Sequence, residues 1–209
     1  MNPILWQPDA KMLETAKVTQ YMRWLSKQTG LSFEDYNDLW QWSIDETDAF
    51  WQSIWDYFDI QSSTEYSTVL QTSAMPGAEW FSGASVNYAA QVFRNSTTER
   101  PAIVFQSETT ALQEISWAEL EADVASMAAY LRRIGVRPGD RVVAYLPNIP
   151  EATVAFLASA SVGAIWSMCA PDLGVKGVLD RFQQIKPKVL IAVNGYTYGG
   201  KSYDRAAEV

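Results

Sequence analysis

The run Gly195-Tyr196-Thr197-Tyr198-Gly199-Gly200-Lys201-Ser202 satisfies the spacing G-x-x-x-x-G-K-[ST]. In a loop of that kind, backbone amides cradle phosphates, the lysine reaches the terminal phosphates and the hydroxyl holds magnesium. The run follows a predicted strand and precedes a predicted helix, the context such a loop requires. It therefore predicts a P-loop nucleotide hydrolase as one reading. Two features argue against it. Tyr196 and Tyr198 are bulky where phosphate needs close backbone approach, and only seven residues follow Ser202, too few for a downstream strand with a magnesium-binding aspartate. A glycine-rich surface turn is the other reading.

Other reactive residues are scarce. The chain has no histidine, which excludes a histidine base, a Ser-His-Asp triad and histidine metal ligands within it. Cys169 is the single cysteine, so no internal disulfide forms; with no histidine partner it reads as a small buried residue ending a strand. The pairs Glu34/Asp35 and Asp45/Glu46 sit where helices are predicted to start, and there the helix dipole favours carboxylates. No G-x-G-x-x-G is present, so a dinucleotide-binding domain lacks its fingerprint. No metal site is predicted.

At 209 residues the chain is long enough to bury a core without staples. Its charge is uneven. Residues 1–80 carry 4 basic and 12 acidic side chains, whereas residues 81–209 carry 12 of each. An acidic chain without a basic stripe predicts no nucleic-acid partner. The start, M-N-P-I-L-W-Q-P-D, lacks the basic and apolar regions of a signal peptide. Ala152 to Pro171 holds no charge over 20 residues, but Ser159, Ser161, Gly163 and Ser167 dilute it. A buried helix followed by a buried strand is expected there, with no membrane span. The lone cysteine agrees with a cytoplasmic setting.

Periodicity places the elements. A helix is expected over 12–28, ended by Gly30, with Ser32 and Asp35 opening the next one as a capping box. Ser43 and Glu46 suggest a second box, launching a helix whose Thr47, Phe50, Trp51, Ile54, Trp55 and Phe58 share a face. This stripe, with Trp40, is expected to pack as a buried layer on the following part. Residues 61–80 read as a Ser/Thr-rich connector with Pro76-Gly77. A short helix ending near Phe93 follows. Ala102–Phe105 and Gln113–Trp117 read as antiparallel strands, and Glu119–Ile134 as an amphipathic helix capped by Gly135. Strands over 141–146, 164–168 and 188–193 alternate with helices over 149–162 and 175–185, which predicts a parallel α/β sheet. The expected organisation is an N-terminal helical segment, 1–75, and a partial α/β subdomain, 76–209, in the doubly wound, mainly parallel class with flanking helices.

Several motifs carry a resemblance. L-W-Q-W-S-I-D-E-T-D-A-F-W (39–51), W-F-x-G-A-x-x-N-Y-A (80–89) and G-D-R-V-V-A-Y-L-P-N-I-P-E-A (139–152) resemble the N-terminal part of the adenylate-forming acyl-CoA synthetases. A-P-D-L-G-V-K-G-V-L-D-R-F-x-Q-I-x-P-K-V-L (170–190) and V-N-G-Y-x-Y-x-G-K-x-Y-D (193–204) are similar to the acetoacetyl-CoA synthetases in particular. Pro171, Asp172 and Lys201 stand where acetyl- and propionyl-CoA synthetases usually carry a Gly-Gly pair and an arginine.

The resemblance implies a fragment of an acid–thiol ligase acting on acetoacetate or another short acyl acid, with ATP, magnesium and coenzyme A used by the whole enzyme. The family's T-S-G-T-T-G-type loop, ribose-binding aspartate and C-terminal lysine are not among these 209 residues, so inactivity alone is expected. What it implies for this chain is an edge of the coenzyme A path. Ala170, Pro171 and Asp172 would flank the pantetheine, and Tyr198 and Lys201 would lie near the 3′-phosphate. Tyr198 stands where some relatives carry a basic residue. Beside the ligase and the hydrolase, a noncatalytic interaction module with a Trp-rich acidic N-terminus is the third reading.

Overall fold

A computed structural model describes residues 5–209. Part of the N-terminal leader reading, residues 1–4, lies outside them. The chain forms two compact units, one ending at Ser85 and the other spanning Val86–Val209.

The first unit holds helices α1 (Ala10–Thr15), α2 (Lys17–Thr29), α3 (Tyr36–Asp45) and α4 (Thr47–Tyr57), then strands β1 (Thr68–Thr72) and β2 (Glu79–Ser82). As expected, α2 ends at Gly30. The two capping boxes do not form. Asp35 is itself the N-cap of α3, accepting from the Asn37 and Asp38 amides at 2.7 and 3.1 Å. Those donors hold its carboxyl below the usual carboxylate range. Ser43 lies inside α3 and donates to the Trp40 carbonyl at 2.7 Å, so it is not free to cap α4.

Tyr21, Leu25 and Leu39 form the buried centre of this unit. Ser53 gives its only proton to the Phe50 carbonyl at 2.7 Å, so the Tyr21 hydroxyl is the donor in their mutual hydrogen bond. The aromatic stripe of α4 is divided. Phe50 and Ile54 join this core, whereas Trp55 packs on Phe81 with ring centroids 4.5 Å apart and Trp51 meets Trp80 at 5.9 Å. Trp40 and Trp51 are 51% and 43% exposed, so the expected burial of both is corrected. α3 turns Leu39 and Trp42 inward, which leaves Trp40 on its other side. Residues 61–80, expected as a connector, contain β1 and part of an antiparallel hairpin, with Leu70 opposite Trp80. Thr68 and Val69 are β-branched and favour strand despite the polar surroundings.

The second unit begins with α5 (Tyr88–Phe93), β3 (Ile103–Phe105) and β4 (Gln113–Ile115), the last two antiparallel as expected. Then come α6 (Trp117–Arg133), β5 (Arg141–Tyr145), α7 (Pro150–Ser161), β6 (Ile165–Cys169), α8 (Val175–Ile185) and β7 (Val189–Ala192). α6 starts on a capping box absent from the sequence reading. Ser116 Oγ accepts from the Glu119 amide at 3.2 Å, and Glu119 accepts from the Ser116 amide at 2.8 Å.

β6, β5 and β7 form a parallel sheet in that order, with β5 central. Alternation along β5 then assigns its two faces. Val142 packs with Leu131 of α6 and Leu157 and Ala158 of α7, whereas Val143 and Tyr145 pack with Cys169 and with Phe182 of α8. Both faces of β5 are covered, and Val142, Val143 and Ala144 have no exposed surface. Ala152 to Pro171 is thus α7, β6 and the next turn. No helix among the described residues is long and apolar enough to cross a membrane. The chain closes with β8 (Gly195–Tyr198) and β9 (Lys201–Asp204), an antiparallel pair.

Candidate functional site

In parallel sheets, ligands gather beyond the carboxyl ends of the strands. Here β6 runs into the loop Ala170–Gly174, and β7 runs into the β8–β9 hairpin.

The loop is held from below and from the side. Tyr145, at the end of β5, directs its hydroxyl at the Pro171 carbonyl (2.7 Å) and the Leu173 carbonyl (3.0 Å). Burial pushes its phenol up from the ordinary value, so it remains a donor. Arg205, just after β9, donates from Nε to the same Pro171 carbonyl at 3.0 Å. Its NH1 pairs with Glu208 at 2.7 Å, and its guanidinium lies over the Tyr196 ring, 5.6 Å from the centroid. Pro171 is buried, whereas Ala170 and Asp172 are exposed on either side of it.

The hairpin overturns the phosphate-loop reading of Gly195–Ser202. No helix follows Lys201; the lysine opens a strand instead. Gly199 and Gly200 make a two-residue turn with φ of +60° and +71°, the left-handed region that hairpin turns of this length demand. Gly195 is required for a different reason: a Cβ there would lie 2.7 Å from the Tyr203 carbonyl oxygen. The two interior tyrosines are strand residues. Tyr196 stacks on its cross-strand partner Tyr203 at 5.0 Å, and Tyr198 pairs in register with Lys201. The turn amides are already engaged. Those of Gly199 and Gly200 donate to the two carboxylate oxygens of Glu108 at 2.8 and 2.7 Å. These bonds hold the Glu108 carboxyl below the usual range.

The five residues singled out in the sequence therefore fall on two neighbouring features. Ala170, Pro171 and Asp172 lie on the β6–α8 loop; Tyr198 and Lys201 lie across the hairpin turn, Tyr198 72% exposed. Arg205 joins the two through Pro171. Lys201 is exposed and, among the described residues, forms no ion pair. A cleft of about 660 Å³ opens nearby, between the β3–β4 loop with Glu108, Pro147–Pro150 after β5, and Gly195–Thr197; none of the five lines it. Three residues that shape this region were missed in the sequence: Tyr145, Arg205 and Glu108. Only Tyr145 carried a signal, as a phenol near the end of the strand predicted over 141–146. No group of three or more Cys, Asp or Glu among the described residues is placed to hold a cation.

Comparison with known proteins gives a consistent result. The family model "AMP-binding enzyme" matches residues 90–208, and "Acetyl-coenzyme A synthetase N-terminus" matches residues 36–92. The latter includes much of the Trp-rich segment, which leaves the separate interaction module without support. An acetoacetyl-CoA synthetase of Danio rerio is 39% identical over 206 residues, covering 97% of this chain and 30% of its own. One of Rhizobium meliloti (strain 1021) is 38% identical over 205 residues, with 98% and 31% covered. The solved structure of acetoacetyl-CoA synthetase from Streptomyces lividans superposes with a TM-score of 0.95 at 48% identity, over 99% of this chain and 32% of that one. The chain thus spans about a third of the length of these relatives. With more than half of its residues matched by the family model and its fold shared over nearly its whole length, the chain belongs to the AMP-binding enzyme family.

Proposed function

We propose that this chain is the N-terminal part of an acetoacetate–coenzyme A ligase, and that it contributes an edge of the coenzyme A path rather than the reacting groups. In the complete reaction, the carboxylate and ATP give an acyl-adenylate and pyrophosphate. The thiol of coenzyme A then attacks the acyl carbonyl and AMP leaves. Ala170 and Asp172 are exposed for contact with the pantetheine arm, and Lys201 offers an exposed ammonium, without an ion pair among the described residues, to the 3′-phosphate. As a point charge it attracts phosphate without the fork an arginine would supply. Tyr198 offers a ring face and a hydroxyl at the same turn.

The residues present do not fit a magnesium–triphosphate site. The one phosphate-loop spelling is a hairpin, its turn amides are bound to Glu108, and the described acids are not grouped around a cation position. A cytosolic setting belongs to the same reading.

The observation that supports the proposal most is the coincidence of the two features. Loop and hairpin, drawn from sequence stretches most like acetoacetyl-CoA synthetases, share one hydrogen-bonded junction at Pro171. Titration of the chain with coenzyme A and with ATP, each with and without magnesium, tests it. Coenzyme A is expected to bind weakly, because few contacts repay the entropy of association. That binding should need no magnesium, fall in Lys201→Ala and fall with salt, as an exposed phosphate contact is screened within ~8 Å. Magnesium-dependent ATP binding with no preference for coenzyme A would refute the reading.

A further inference from the structure

We propose that Arg205 is a positioning residue which, together with Tyr145, locks the Ala170–Gly174 loop to the β8–β9 hairpin so that both move as one body. As a coenzyme-facing edge, this body rests on the function proposed above; as a mechanical unit, it does not.

The junction is the Pro171 carbonyl. It has two lone pairs, and two donors from different parts of the chain reach it: the Tyr145 hydroxyl at 2.7 Å, whose one proton also faces the Leu173 carbonyl at 3.0 Å, and Arg205 Nε at 3.0 Å. Because Pro171 is buried, neither donor is readily replaced by water, and losing one leaves acceptor capacity unmet. Within the loop itself, the backbone closes through the Leu173 amide on Ala170 (3.1 Å) and the Val178 amide on Gly174 (3.2 Å). Both bonds are local. Neither sets where the loop lies relative to the hairpin.

Arg205 supplies that relation because its own orientation is fixed on the hairpin side three times. Its amide donates to the Asn194 carbonyl at 2.7 Å, closing the hairpin base. Its NH1 is paired with Glu208 at 2.7 Å. Its guanidinium carbon lies 5.6 Å from the centroid of the Tyr196 ring, which in turn stacks on Tyr203 across the strands. A planar guanidinium with donors at Nε and NH1 can serve carbonyl, carboxylate and ring at once; a lysine ammonium cannot. Tyr145 ties the same carbonyl to β5, the central strand. The consequence is preorganisation. A ligand touching both Asp172 and Lys201 meets two surfaces already held in register, and less ordering opposes its binding.

Amide hydrogen exchange on the whole 209-residue chain, read by peptides covering 170–174 and 195–204, tests the clamp. Arg205→Ala is expected to accelerate exchange about tenfold or more in both segments while α6 and β5 keep their protection. Arg205→Lys, which retains charge and stem and so guards against misfolding of the alanine variant, should fail to restore the loop. Tyr145→Phe keeps the ring in the core and should loosen the loop while leaving the hairpin protected. The clamp is overturned if Arg205→Ala loosens the hairpin alone, or if Arg205→Lys restores both segments. A parallel coenzyme A titration separates the two levels. Loss of affinity in Arg205→Ala with unchanged unfolding midpoint supports a positioning role. Wild-type chain that binds no coenzyme A, yet shows the coupled exchange, upholds the clamp and removes its ligand.

Discussion

Glu108 is held by two backbone amides rather than by a cation. Its carboxyl is stabilised as the anion, so its folded pKa lies below the unfolded one. The tether is therefore complete above the ordinary glutamate range and is lost as pH falls through the lowered folded value. The Gly199 and Gly200 amide resonances should titrate together with a midpoint below that of a free glutamate, and Glu108→Gln should abolish the shift. A midpoint at or above the ordinary range would contradict the contact. Nothing in the sequence announces this residue. It lies in a polar loop 91 positions before its first partner, and that partner is a glycine amide that any residue type could provide. Lys201 was legible as a letter in a motif and through the family resemblance; its real surroundings, a strand end opposite Tyr198, depend on pairing that spacing does not encode.

Elements were more legible where burial sets a period. β5, β6 and β7 and the helices between them follow from apolar runs alternating with helical stripes, because a sheet covered on both faces needs both patterns. Leu131 shows the strength of that signal. It sits on the inner face of α6 with no exposed surface. Leu131→Ala should cost about 2–5 kcal/mol in urea unfolding of the unit that holds it, by lost transfer energy and the cavity left behind. A loss below ~1 kcal/mol would mean that α6 does not pack as described. Where polarity masked the period, the reading failed. β1 was hidden in a Ser/Thr-rich stretch, and the Ser43–Glu46 spacing named a cap although Ser43 lies within a helix. The same limit applies to Gly195–Ser202: G-x-x-x-x-G-K-[ST] spells both a phosphate loop and a hairpin with a Gly-Gly turn. What separates them is whether the lysine opens a helix or a strand.

For the whole molecule, similarity and chemistry point the same way. The chain shares its fold with about a third of an acetoacetyl-CoA synthetase, and the coenzyme-facing edge proposed above lies in that third; no group of three or more Cys, Asp or Glu among the described residues is placed to hold a cation. Acetoacetate-dependent exchange of pyrophosphate into ATP should accordingly stay at background for the isolated chain. The decisive measurement transplants it. The matching N-terminal third of the Streptomyces lividans enzyme, 48% identical, can be replaced by these residues and thioester formation followed with acetoacetate, ATP and coenzyme A. A folded chimaera that forms acetoacetyl-CoA, with its KM for coenzyme A raised by Lys201→Ala and its adenylation step unchanged, is the predicted result. A folded chimaera that makes acetoacetyl-adenylate but cannot pass it to coenzyme A, or whose coenzyme KM ignores Lys201, would contradict the account.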